Sequence, residues 1–150
     1  MNNAIYTFKE PKNEPVLEYR PGSPERLSLE KELARQKSQV VDIPLIIGGK
    51  EIRTGNTGKV VMPTDHNHVL ATYHKATEKE VALAIEAAMT AKKEWLRMPW
   101  TERAAIMAKA AELLSTKYRD LINAATMLGQ GKNVMQAEID SACETIDYLR

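Results

Sequence analysis

Thr77-Glu78-Lys79-Glu80-Val81-Ala82-Leu83-Ala84-Ile85-Glu86-Ala87-Ala88-Met89 is the stretch from which the fold is read. Thr77 and Glu80 stand at capping-box spacing, with the Thr77 hydroxyl placed for the Glu80 amide and the Glu80 carboxylate reaching back. Val81, Ile85, Ala88, Met89 and Trp95 then recur on one side at helical spacing. Pro99 breaks that helix, and Thr101 is placed to cap the next, whose apolar side is Ile106, Met107, Ala110, Leu113 and Leu114. A third helix holds Leu121, Ile122, Ala125 and Leu128 and is expected to end at Gly129. A fourth starts near Asn133 and carries Met135, Ile139, Ala142, Cys143, Ile146 and Leu149 on one stripe. It meets Arg150 with no cap, glycine or proline.

Upstream the pattern changes from helical to extended. Val40-Val41-Asp42-Ile43-Pro44-Leu45-Ile46-Ile47 is β-branched and short. Gly48-Gly49-Lys50 supplies a turn, and Glu51-Ile52-Arg53 returns as a second strand. Gly55-Asn56-Thr57-Gly58 is a further turn signal, followed by strands at Lys59–Met62 and Val69–Tyr73. Before them, Ser23-Pro24 marks a helix start, and a charged helix is expected through about Gln39 with Leu27 and Leu33 on a thin apolar stripe. Residues 1–22, with Pro11, Pro15 and Pro21, read as an extended arm rather than a core element. Short strands with nothing to complete them, and the bare last helix, lead to the expectation of a segment of a longer chain.

Composition narrows the function classes. Lys+Arg is 21 against Asp+Glu 20, a balance that argues against a nucleic-acid partner. Aromatics are 5%, too few for a base-stacking platform. No apolar run approaches the roughly 20 residues of a membrane span. One cysteine forms no internal disulfide and no thiolate zinc site. The first arginine is Arg20, after Glu10, Glu14 and Glu18, unlike an Arg-rich presequence, so cytoplasm is expected with the mitochondrial matrix as the alternative.

Candidate chemistry is sparse. There is no G-x-G-x-x-G, and Gly129-Gln130-Gly131-Lys132 lacks both the earlier glycine of a phosphate loop, at Thr126, and its Ser/Thr, at Asn133. It reads as a helix–turn–helix junction. Asp65, His66, His68 and His74 make no closed metal-ligand set, and no metal is expected. Cys143 lies on an apolar stripe beside Asp140 and Asp147, which oppose a thiolate, so it reads as a buried structural thiol. Asp140, Glu144 and Asp147 share a flank at i, i+4 and i+7. Beyond Glu144 stand Ala137, Ser141, Thr145 and Tyr148, a face fit to pack. A carboxylate at the margin of a packed face can hold an ammonium group, although spacing equally allows a solvated acidic face.

The order of motifs resembles a known family. Ile46-Ile47-Gly48-Gly49-Lys50 is followed by Pro63-Thr64-Asp65-His66 and Val69-Leu70-Ala71, then Ala82–Ala88, Trp95 and Arg103. This succession resembles the N-terminal portion of the aldehyde dehydrogenase superfamily. Asn13–Leu17, Gly22–Arg26, Lys93-Glu94-Trp95, Gly129–Lys132, Gln136–Asp140, Glu144, Ile146 and Asp147 resemble one branch of it, the dehydrogenases of glutamate γ-semialdehyde formed from 1-pyrroline-5-carboxylate. The resemblance implies an α/β aldehyde dehydrogenase-like fold, of which this part is mostly helical with short edge strands and a β-hairpin. It implies that residues 23–150 are the incomplete N-terminal part of the NAD-binding domain. The whole enzyme would oxidise glutamate γ-semialdehyde to glutamate with NAD in proline breakdown, as a homo-oligomer. Its catalytic residues and NAD-binding segments would lie downstream, so this segment has no catalytic residue of its own and is expected to be inactive alone. Through Gln136–Asp140 the resemblance places one role here, contact of Glu144 with the substrate's α-ammonium group. The competing expectation is a stand-alone α-rich interaction module or a non-catalytic remnant.

Overall fold

A computed structural model describes Ile5 and residues 10–150. The expected arm therefore lies partly outside the described residues. Its described part, residues 10–20, has no regular secondary structure, yet it is not peripheral. Tyr19 is buried, with a left-handed backbone (φ 52°) that is uncommon for a residue with a side chain. That turn aims the ring into a core with Leu29 and Ala124, against which Leu17, Leu33, Met127 and Val134 pack. The expectation of an arm outside the core is corrected at this residue.

Helix α1 spans Pro24–Lys37, with Ser23 as N-cap accepting from the Arg26 amide and Pro24 in the first turn. Leu29 and Leu33, one turn apart, face inward, while Leu27 is half exposed. Strands follow at β1 (Val41–Ile43), β2 (Leu45–Ile47), β3 (Lys50–Ile52), β4 (Thr57–Met62) and β5 (Asp65–His74). Pro44 separates β1 from β2, because its nitrogen has no proton to donate. β2 and β3 form a hairpin through Gly48 and Gly49, both at positive φ. The other three make one small sheet ordered β1-β5-β4, with β1 parallel and β4 antiparallel to β5. Thr57 and Gly58, expected in a turn, belong to β4, and a Cβ on Gly58 would meet the Tyr73 ring at 2.4 Å. Asp65–His68, outside the strand expected at Val69–Tyr73, open β5.

The helical half comprises α2 (Glu78–Arg97), α3 (Trp100–Ser115), α4 (Arg119–Gln130), α5 (Val134–Ala137), a π-helical turn (Glu138–Cys143) and α6 (Glu144–Leu149). At Thr77 the backbone amide donates to Glu80 Oε2 at 2.9 Å and the hydroxyl to the same oxygen at 2.5 Å. Thr101 does not cap α3, which begins one residue earlier behind Pro99. Gly129 does not end α4; the chain continues to Gly131, whose left-handed backbone (φ 67°) closes the helix. No helix among the described residues is long and apolar enough to cross a membrane.

A second core joins α3 to α6 through Ala111, Ala142 and Ile146, flanked by Leu114, Ile122 and Leu149. The α2 face is different. Ile85 is 60% exposed and Leu96 63%, and Val81 and Met89 are similarly open. The architecture is the expected one, mostly helical with short strands and a hairpin.

Candidate functional site

The segment after α4 brings Cys143 and Asp147 to a buried polar network, with Glu144 between them at the surface. Gly131 turns the chain, and its amide donates to the Met127 carbonyl at 3.0 Å. Asn133 then starts α5. Its side chain accepts from the Gln136 amide, and Gln136 accepts from the Asn133 amide, both at 3.0 Å. Gly129–Lys132 thus acts as a junction between helices, as its composition suggests.

After α5 the helix widens to i→i+5 spacing over Glu138–Cys143. This was not legible from periodicity and it redraws the stripe. Met135 and Ile139 are about two-fifths exposed, although both were expected inward. Glu138 takes the inward position and is fully buried. Its carboxylate accepts from the Leu17 amide, the Tyr19 hydroxyl and Asn123 Nδ2, each at 2.8 Å, and pairs with Arg119 Nη2. Arg119 also donates to Glu14 Oε1 at 2.5 Å and to the Pro15 carbonyl at 2.8 Å. Glu14 in turn pairs with Arg150 at 2.7 Å, and its amide donates to Asp147 Oδ1 at 2.7 Å. Burial by itself would raise the Glu138 carboxyl, but Arg119, the Leu17 amide and the Tyr19 hydroxyl outweigh it and hold it below the usual carboxylate range. Burial and the neighbouring Glu138 charge push the Tyr19 hydroxyl well above its ordinary value. Burial opposes the charge on Arg119, yet Glu138 and Glu14 fix it in the charged form.

Cys143 lies in this corner with Sγ 3.6 Å from Arg119 Nη2. Burial, then Glu138, raise its thiol, and Arg119 only partly opposes them, so it is held as a thiol rather than a nucleophile. Asp147 contributes to that rise as expected, while Asp140 is engaged elsewhere with Lys132 at 2.7 Å.

Glu144 is the first residue of α6 and is exposed. The three flank acids differ in occupation. Asp140 is paired with Lys132, and Asp147 accepts the Glu14 amide. Among the described residues no hydrogen bond or ion pair engages the Glu144 carboxylate. The face behind it packs only in part: Ala137 is buried and Ser141 donates to the Ile122 carbonyl at 3.2 Å, whereas Thr145 is exposed and Tyr148 is 88% exposed. The π-turn is the reason, since it rotates the second half of the helix away from the register that would bury Tyr148.

The histidines do not converge. His74 Nδ1 accepts from the Gly55 amide at 3.1 Å and its Nε2 lies 3.3 Å from Asp42, while His66 and His68 stand earlier on β5. The described residues contain no group of three His, Cys, Asp or Glu able to hold a metal. A separate open cleft of about 640 Å³ lies between the β2–β3 hairpin and α2, lined by Ile47 and Leu83 together with Lys50, Glu51, Glu86 and Glu94.

Known proteins share this arrangement of elements. The chain is 52% identical over 149 residues to the Δ1-pyrroline-5-carboxylate dehydrogenase of Agaricus bisporus, covering 97% of this chain and 27% of that protein. It is 49% identical over 140 residues to the mitochondrial Δ1-pyrroline-5-carboxylate dehydrogenase of Dictyostelium discoideum, covering 93% and 25%. The crystal structure of the Mycobacterium tuberculosis Δ-pyrroline-5-carboxylate dehydrogenase bound with NAD superposes with a TM-score of 0.95 at 47% identity, over 99% of this chain and 28% of that one. The chain thus spans about a quarter of the length of these relatives. Residues 52–150 match the aldehyde dehydrogenase family model, and with two-thirds of its length inside that match the chain belongs to the aldehyde dehydrogenase family.

Proposed function

We propose that this chain supplies the N-terminal quarter of an NAD-dependent dehydrogenase that oxidises L-glutamate γ-semialdehyde to L-glutamate. Residues 23–150 form the first part of its NAD-binding domain, and residues 1–22 are an arm whose end docks through Tyr19. Identity near one-half along nearly the whole chain, to proteins named for that activity, supports the reading. The complete enzyme is a homo-oligomer whose catalytic residues lie outside these 150 residues.

The chain's own residues do not fit NAD. The cleft between the β2–β3 hairpin and α2 is lined by three glutamates and a single lysine, a charge pattern that repels a pyrophosphate. No glycine-rich phosphate cradle accompanies it. No step of the reaction is therefore assigned to this segment, and the 150 residues alone are expected to reduce no NAD.

What the segment contributes is recognition. The observation that carries this is the unengaged Glu144 carboxylate, beside two acids that already have partners. Glu144 receives the α-ammonium of the amino-acid aldehyde. A charge-assisted hydrogen bond of this kind contributes about 1.5–3 kcal/mol, so its loss is worth roughly tenfold or more in affinity. In the full-length enzyme, Glu144→Ala raises KM for glutamate γ-semialdehyde at least tenfold, while simple aliphatic aldehydes, which lack the ammonium, change less than about threefold. Equal losses on both substrates sink the assignment. The compartment is proposed as cytoplasm or the mitochondrial matrix. The Dictyostelium relative is named mitochondrial, and fractionation of the source cells decides between the two.

A further inference from the structure

We propose that Arg119 is a positioning residue for Glu144, acting by locking the π-turn, an inference that rests on the reading of Glu144 as the substrate contact. Ala137 and Glu138 are buried, then Ala142 and Cys143, then Ile146. The first step is five residues and the next is four. An α-helix turns about 100° per residue, so an unbroken α register from Ala137–Glu138 would instead bring Ser141, Thr145 and Tyr148 inward. Glu144 would lie on the inward flank and Ile146 would face out. The π-turn absorbs one extra residue and rotates everything after it by roughly one residue's angle. That rotation seats Ile146 against Ala111 and leaves Glu144 exposed.

Arg119 holds both sides of this turn. Directly, it pairs with Glu138 at the start. Through Glu14 it reaches the end, because Glu14 also binds Arg150 and donates its amide to Asp147. Glu144 lies between the two anchored points. Widened turns are rare because their hydrogen-bond geometry gives no advantage over the α-helix, so this one persists only while its ends are fixed. Freed of Arg119, the segment relaxes to α register and Glu144 swings toward the packed face.

The test uses the full-length enzyme with glutamate γ-semialdehyde and propanal as paired substrates. Arg119→Met is expected to raise KM for the amino-acid aldehyde at least tenfold with less than a threefold change for propanal. Deleting Ile139, an exposed residue of the turn, removes the extra residue and lets an ordinary α-helix present Ala142, Ile146 and Glu144 as they are now. The deletion alone is expected to keep KM within threefold, and in the Arg119→Met background to restore it. A crystal structure of the Arg119→Met enzyme reads the register directly, with i→i+4 bonds expected across residues 138–143. Retention of i→i+5 bonds with Glu144 unmoved overturns the proposal, whatever Glu144 binds. So does equal damage to both substrates, or a deletion that by itself raises KM tenfold. If Arg119→Met does not fold, the single deletion still decides the matter. Failure of the underlying reading is separate, and shows as an unchanged KM in Glu144→Ala.

Discussion

Two regions of this chain handle their side chains in opposite ways. Around Arg119, charged groups are buried beside an apolar core; along α2, apolar groups are exposed and only Glu80 is buried. The Arg119 corner is closed by contacts from the arm, α1, α4 and the π-turn. The α2 helix, by contrast, leans on the β2–β3 hairpin and leaves Val81, Ile85 and Met89 in the open. A buried ion pair adds little net stability over an apolar replacement but is costly to break, so the corner is specific rather than merely adhesive. An open apolar stripe stabilises nothing until something covers it. The lesson is that this chain completes one of its two packing problems and presents the other.

The largest expected effect breaks the corner. Arg119→Ala leaves Glu138 charged, buried and without its guanidinium, at a cost of about 3–5 kcal/mol, measured by hydrogen exchange at the Asn123 and Ala124 amides. Protection unchanged by the substitution would show the pair to be decoration. Next comes the apolar seam beside it. Ile146→Ala removes a fully buried side chain and should cost about 2–5 kcal/mol in the same measurement.

The pH response sharpens the same comparison. Glu138 is held below its unfolded value, so its stabilisation is complete above the ordinary carboxylate pKa of about 4.3 and is lost as pH falls through the folded value. Tyr19 is shifted the other way. Its contribution is complete below the unfolded pKa of about 10 and declines as pH rises beyond it. Tyr19→Phe should therefore flatten the alkaline limb of a stability–pH curve and leave the acid limb, which Glu138→Gln should remove. The smallest effect belongs to the open face. Ile85→Ala should change the stability of the 150-residue chain by less than about 0.5 kcal/mol, and that of the full-length enzyme by several times more. A large loss in the short chain would show that α2 is already packed.

What could be read from the sequence follows this division. Ser23-Pro24, the Thr77–Glu80 pair and Gly48-Gly49 obey local rules, and each formed the element expected of it. The exposed α2 stripe was legible too, because its periodicity is that of a face made to be buried. The corner was not. Tyr19 sits in a proline-studded arm with no periodicity, and its burial depends on a left-handed backbone that no neighbouring residue signals. Glu138 looks like any surface glutamate until Arg119, nineteen residues away, and the Leu17 amide are brought to it. The π-turn erased the 3.6-residue period on which the last stripe was drawn, so Met135 and Ile139 were placed inward in error. Glu144 came from resemblance rather than from spacing, which left a solvated acidic face equally open.

The account's central claim is that these residues belong to a larger dehydrogenase, and the intact mass of the polypeptide in its source cells tests it most directly. The account predicts a chain several times heavier than 16.8 kDa, with the catalytic cysteine and NAD-binding segments after Arg150. A mass near 16.8 kDa would contradict it, leaving α2's apolar face to a separate partner and the segment without a reaction to serve.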